Sequence, residues 1–131
     1  MPSPYNALVR AFLRKLEGGR FEEGDFAPLL TDASVLHAPA ADGADAEHVG
    51  VAGFSAYFAG LRGAADGSLT FRPQSFELRE RGAVSLVHAT GVRDGEEFLE
   101  HLRVIFGLGE GRIQELWLDP GDRASFAKHL S

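Results

Sequence analysis

Apolar residues recur with a helical period along the first half of the chain and alternate with polar ones along the second, so the pattern predicts helices first and a sheet after. Leu8, Phe12 and Leu16, flanked by Val9 and Leu13, form one helical stripe. Ser3 and Pro4 open it as N-cap and first helical residue, and Gly18-Gly19 stops it. Phe21 to Leu30 predicts a short second helix carrying Phe26, Leu29 and Leu30, weakened by Gly24 and Pro28. Ala33 to Ala38 predicts a short strand ended by Pro39, and Ala40 to His48 an acidic loop. Gly53 to Arg62 sets Phe54, Tyr57, Phe58 and Leu61 on one face of a third helix.

Beyond Ser68 the punctuation becomes that of hairpins: Arg81-Gly82, Asp94-Gly95 and Gly109-Glu110-Gly111 divide four strands, 69–80, 83–93, 96–108 and 112–119. Pro120 ends the last strand, and Ser125 to Leu130 predicts a short helical tail. The expected fold class is α+β: a cone-shaped, curved antiparallel sheet closed by three helices of the N-terminal half, in one domain over 1–131.

Two-residue turns set the pairing, and alternation then sorts the side chains onto two faces. The inner face collects Phe76, Leu78, Ala83, Ser85, Val87, Ala89, Phe98, Glu100, Leu102, Val104, Phe106, Ile113, Glu115, Trp117 and Asp119. Ala83, Ser85, Ala89 and Gly91 are small along one strand, while Phe98, Phe106 and Trp117 are large on its neighbours. Either helix side chains fill that space or a ligand cavity stands between sheet and helices. The expected pocket comprises Phe12, His37, Tyr57, Phe58, Phe76, Ser85, Val87, Leu102, Val104, Phe106, Trp117 and Asp119. The outer face gathers Val84, Leu86, Leu99, Ile105, Leu116 and Leu118 and predicts a homodimer packed sheet to sheet.

Composition narrows the function classes. A net charge of −6, with basic residues spread along the chain, argues against nucleic-acid binding. Without cysteine there is no disulfide framework or thiolate chemistry. Val49 to Leu61 is too short to span a bilayer, and Met1 to Tyr5 lacks the pattern of a secretory signal, so the expectation is a cytoplasmic protein without membrane partners. The five histidines show no metal-ligand spacing, and neither a phosphate-binding loop nor a nucleophile elbow is present, so no metal or cofactor is expected.

Leu29-Leu30-Thr31-Asp32-Ala33-Ser34-Val35-Leu36-His37-Ala38-Pro39, His48-Val49-Gly50 and Gly111-Arg112-Ile113-Gln114-Glu115-Leu116-Trp117, in this order of elements, resemble the SnoaL-like group of the nuclear transport factor 2-like superfamily. The resemblance covers essentially the whole chain. It implies a cone of bent sheet closed by three helices (a cystatin-like roll), an internal pocket and commonly a dimer. Members include ketosteroid isomerases, polyketide cyclases and limonene epoxide hydrolases, so function must come from the site. The isomerases use a helix-1 tyrosine, an aspartate before the strand proline and a second acid on the sheet. Phe12, Ala38 and Val104 occupy those places here, which disfavours that mechanism.

The remaining catalytic candidates are His37, as a general base near neutrality, with Glu115 and Asp119 as inner carboxyls beside Trp117. A structural histidine and an aspartate capping the turn at Pro120 to Asp122 are the bland counterparts. Glu96-Glu97 near Glu100 suggest a frayed, wet end. The leading expectation is an apolar, ring-bearing small-molecule ligand in the cone, with proton transfer through His37 and an inner carboxylate as its chemistry where it reacts. The alternative is a non-catalytic protein-interaction module. A cyclase or epoxide hydrolase requires acid and base groups lining one cavity.

Overall fold

The computed structural model describes residues 5–40 and 44–130. Helix α1 (Tyr5–Glu17) buries Val9, Phe12, Leu13 and Leu16, the stripe read from its spacing. It ends in a Schellman motif, with Arg20 N donating to Lys15 O, Gly19 N donating to Leu16 O, and Gly19 at a φ of 66° that glycine adopts without strain. Its predicted cap, Ser3 and Pro4, lies outside the described residues.

Helix α2 is only Glu23–Phe26, closed by a reciprocal Glu22–Asp25 capping box, and not Phe21 to Leu30. Pro28 has no amide hydrogen to continue it, and the chain beyond is drawn into the sheet, where Ile113 N donates to Leu29 O. Strand β1 therefore begins early, at Leu30, and runs to Pro39. The acidic loop contains a further strand, β2 (Asp45–Val49), paired with β1 from Val35↔Val49 to Pro39↔Asp45. Helix α3 (Gly50–Ala64) follows, then β3 (Thr70–Arg79), β4 (Gly82–Arg93), β5 (Glu96–Gly109), β6 (Arg112–Pro120) and α4 (Arg123–Leu130).

The six strands form one open sheet in the order β2-β1-β6-β5-β4-β3. It is mixed, because β1 runs parallel to β6 while every other pair is antiparallel. Asp94-Gly95 and Glu110-Gly111 both take positive φ, as the tight turns of twisted hairpins require. The first turn falls at Glu80-Arg81, since Arg79 pairs with Gly82.

Pairing across β3, β4 and β5 follows the expected faces, with Phe76 opposite Ser85 and Ser85 opposite Val104. On β6 the expectation fails at one residue. Leu108 pairs with Ile113 but Gly107 pairs with Glu115, so Gln114 is an extra residue, its amide folded over Gly109. A bulge of this kind turns over every later side chain. Leu116 and Leu118 consequently join the core, at 0 % and 2 % exposure, while Glu115, Trp117 and Asp119 face outward.

The interior is packed with phenylalanine. Phe12, Phe26, Phe54, Phe58, Phe71, Phe106 and Phe126 are all buried, and Phe12 alone meets the rings of Phe26, Phe58 and Phe106 at 5.7, 6.2 and 5.6 Å between centroids. A void that admits water would register as exposure of its walls. The small residues Ala83, Ser85 and Ala89 are exposed by no more than 1 %, so the hollow expected above them is filled.

Candidate functional site

A cavity of about 630 Å³ opens where α1 meets the edge strand β3, lined by Asn6, Arg10, Leu13, Arg14, Glu17, Pro73, Gln74, Ser75, Phe76 and Leu78. Helical spacing explains one wall: Asn6, Arg10, Arg14 and Glu17 follow one another along a single face of α1. The other wall is shaped by a register shift between Pro73 and Ser75, which bends β3 on an edge where proline costs no ladder hydrogen bond. Leu13, Phe76 and Leu78 give it an apolar floor. Phe76 and Leu78 are half-buried, unlike their fully covered counterparts on β4.

One polar group of this cleft has neighbours that orient it. Arg10 Nε donates to Asn6 Oδ1 at 3.3 Å, and the Arg10 guanidinium lies 5.2 Å from the centre of the Phe76 ring. Among the described residues no carboxylate comes within ion-pair distance of Arg10 or Arg14. Arg14 also borders a neighbouring depression with Ala11, Lys15 and Arg20, so this end of the molecule is basic although the chain carries a net charge of −6.

The sequence-derived site residues divide among three places. Phe12, Phe58, Ser85, Val87, Leu102, Val104 and Phe106 belong to the sealed core, and Phe76 lines the cleft. His37 and Glu115 do meet, but on the outer face, because β1 presents His37 there and the bulge at Gln114 turns Glu115 the same way. His37 Nε2 donates to Glu115 Oε2 at 2.8 Å, and the imidazole stacks on Trp117 with ring centres 5.1 Å apart and planes 10° from parallel. A depression bordered by His37, Glu47, Glu110 and Glu115 adjoins the pair. Asp119 also faces outward, where it accepts from Arg103 Nη2 at 2.8 Å. The turn is capped by Asp122 instead, whose Oδ1 accepts from Ser125 N.

Tyr57 packs beside His48, with ring centres 4.8 Å apart. Its hydroxyl is buried without a hydrogen-bond partner among the described residues, and burial pushes its pKa well above the usual phenol value. Burial lowers the pKa of His48. The three positions that correspond to the isomerase residues, Phe12, Ala38 and Val104, are wholly buried apolar groups.

Two features escaped sequence reasoning. Glu100 is 3 % exposed and accepts from Ser125 Oγ at 2.7 Å and His129 Nδ1 at 2.8 Å, with His129 stacked on Phe98, so the wet end marked by exposed Glu96 and Glu97 stops short of Glu100. The alternation Phe98, Glu100, Leu102 and the i, i+4 pair Ser125 and His129 were its available signals. The second is the Arg10–Arg14 wall, legible only as a polar helix face opposite an edge strand.

No family model matches the chain, and no curated protein matches it in sequence. Solved structures match it closely in shape. A protein of unknown function with a cystatin-like fold from Xanthomonas campestris superposes with a TM-score of 0.81 at 12 % identity, covering 95 % of this chain and 96 % of its own. A protein assigned as a SnoaL-like polyketide cyclase from Jannaschia sp. CCS1 gives 0.78 at 15 % identity, over 100 % and 96 %. The fold is that of the SnoaL-like group. TerC, crystallised with polyporic acid, shares this SnoaL-like fold at a TM-score of 0.80 and 14 % identity, covering 98 % of each chain. Among the described residues, the chain has no helix long and apolar enough to cross a membrane and no cluster of three metal-ligating side chains.

Proposed function

We propose that the protein binds the apolar part of a small, ring-bearing metabolite in the cleft between α1 and β3. One observation carries this reading: on the helix side of the sheet, phenylalanine fills the centre but leaves Phe76 and Leu78 bordering an open cavity of about 630 Å³, a size that suits a small ligand. The cyclase-like fold supports it, as does a neighbour of that fold crystallised with polyporic acid. The His37–Glu115 pair lies on the opposite face of the sheet, so the reading is one of binding, with no proton-transfer step assigned to that pair. The test is a thermal-shift screen with naphthalene-sized compounds on the native protein and on Leu78→Trp, which sets an indole in the apolar floor of the cleft. Compounds should raise the melting temperature of the native protein and not of the variant. Equal responses from both proteins, or none from either, would defeat the reading.

A second reading concerns assembly. On the outer face Leu86 and Leu99 are 52 % and 49 % exposed and flank the paired rings of His88 and His101. We propose that a second copy covers this face in a homodimer, and that the protein works in the cytoplasm. Leu116 and Leu118 do not belong to that surface, since the β6 bulge turned them inward. Sedimentation velocity should give a dimer for the native chain and a monomer for Leu86→Glu; a native monomer at micromolar concentration contradicts the proposal.

A further inference from the structure

We infer that the ligand of the α1–β3 cleft is an anion, an aryl or cyclic carboxylate or its acidic equivalent, clamped by Arg10 and Arg14. The inference rests on the cleft being the binding site and adds the charge of its occupant. Three observations carry it.

First, the two guanidinium groups stand four residues apart on one helix, at the spacing that brings side chains side by side. Both line the cavity, and neither has a carboxylate partner among the described residues. In a chain with a net charge of −6, two unpaired cations in one concavity attract an anion that the rest of the surface repels. Second, Arg10 is already oriented: Asn6 accepts from its Nε, and Phe76 lies beneath its plane. The contact with Asn6 holds Nε while the terminal nitrogens stay free to donate, so little side-chain freedom is lost when an oxyanion docks. Third, the floor beneath the cations is apolar, with Leu13, Phe76 and Leu78. An inorganic anion would leave that floor in water. A neutral ring compound would leave both guanidinium groups without a counter-charge. A molecule with a ring at one end and an oxyanion at the other satisfies both surfaces. Glu17, in the same wall, repels a second negative charge and favours a monoanion.

The test uses two probes of one shape, 2-naphthoate and 2-naphthylmethanol, titrated calorimetrically into the native protein, Arg14→Gln and Leu78→Trp. The expected result is that the acid binds the native protein at least about tenfold more tightly than the alcohol, from charge-assisted hydrogen bonds. Arg14→Gln should remove most of that ratio by lowering the acid's affinity far more than the alcohol's, and added salt should weaken the acid more than the alcohol. Equal affinity of acid and alcohol, blocked by Leu78→Trp, would overturn the anionic assignment and leave the cleft standing as a site. Acid binding that survives in Leu78→Trp would place the anion elsewhere, and failure of both probes on the native protein would remove the cleft and the inference together.

Discussion

On the helix side of the sheet, the centre and the β3 edge have opposite wall residues, and each comes out contrary to what its wall suggests. Over the centre, Ala83, Ser85 and Ala89 are small, and the space they leave is taken by rings from α1, α2 and α3. At the edge, Phe76 and Leu78 are large, yet a cavity stands beside them, because the facing side of α1 carries Asn6, Arg10, Arg14 and Glu17. Long polar side chains keep their heads in water and do not fill an apolar wall. Whether a curved sheet holds a pocket is therefore decided by the helix that faces it more than by the sheet's own small residues.

The largest expected effect lies in the closed centre. Phe58 is wholly buried and its ring meets those of Phe12, Phe21, Phe26 and Phe71. Phe58→Ala should cost about 3–5 kcal/mol in urea unfolding. It should also open an apolar void that takes up benzene, making the centre resemble the edge. A loss near zero would mean that the centre is loosely filled already.

The buried carboxylate Glu100 fastens α4 to this closed region. Glu100→Ala should lower stability by about 1–3 kcal/mol, since Ser125 and His129 lose their acceptor. Amides of α4 should then exchange with deuterium faster than those of α1, which touches neither partner. Protection of α4 that is unchanged would show that Phe126 and Leu130 hold it alone.

At the open edge the same kind of change should be nearly silent. Leu78 is half-buried and borders the open cavity. Leu78→Trp should alter stability by less than about 1 kcal/mol while abolishing ligand-induced stabilisation. A large destabilisation would show the cleft to be packed in solution.

The smallest effect is a dependence on pH at His48, beside Tyr57 and α3. Burial lowers its folded pKa below the ordinary value of 6.5, so the unfolded chain binds the proton more tightly. Its contribution to stability is complete above that value and declines as pH falls through the lowered folded pKa. His48→Gln should flatten this slope in melting temperatures measured from pH 7 to pH 5.

Much of the fold was legible because its signals are local. The stripe of α1, the Asp94-Gly95 turn and the alternation of β4 and β5 each fix an element within a few residues. What was hidden depends on distant partners. Leu29 and Leu30 look helical until β6 offers them a strand, and Asp45 to Val49 looks like a loop until β1 pairs with it. The candidate site suffered most from a single residue. Nothing around Gln114 announces a bulge except Gly109, on which its side chain lies. Without that extra residue Trp117 faces the helices, and with it Trp117 stacks on His37 outside. His37 was expected to work with an inner carboxyl, Glu115 or Asp119; Glu115 meets it on the outer face, and Asp119 pairs with Arg103. The cleft was missed because α1's polar side looks like any solvated surface until β3 stands opposite.

The most direct test maps a bound probe on the molecule. Amide chemical shifts of the native protein, followed during titration with 2-naphthoate, should move around Arg10, Leu13, Arg14, Ser75 and Phe76. Shifts confined to His37, Glu115 and Trp117 on the other face of the sheet would contradict the account.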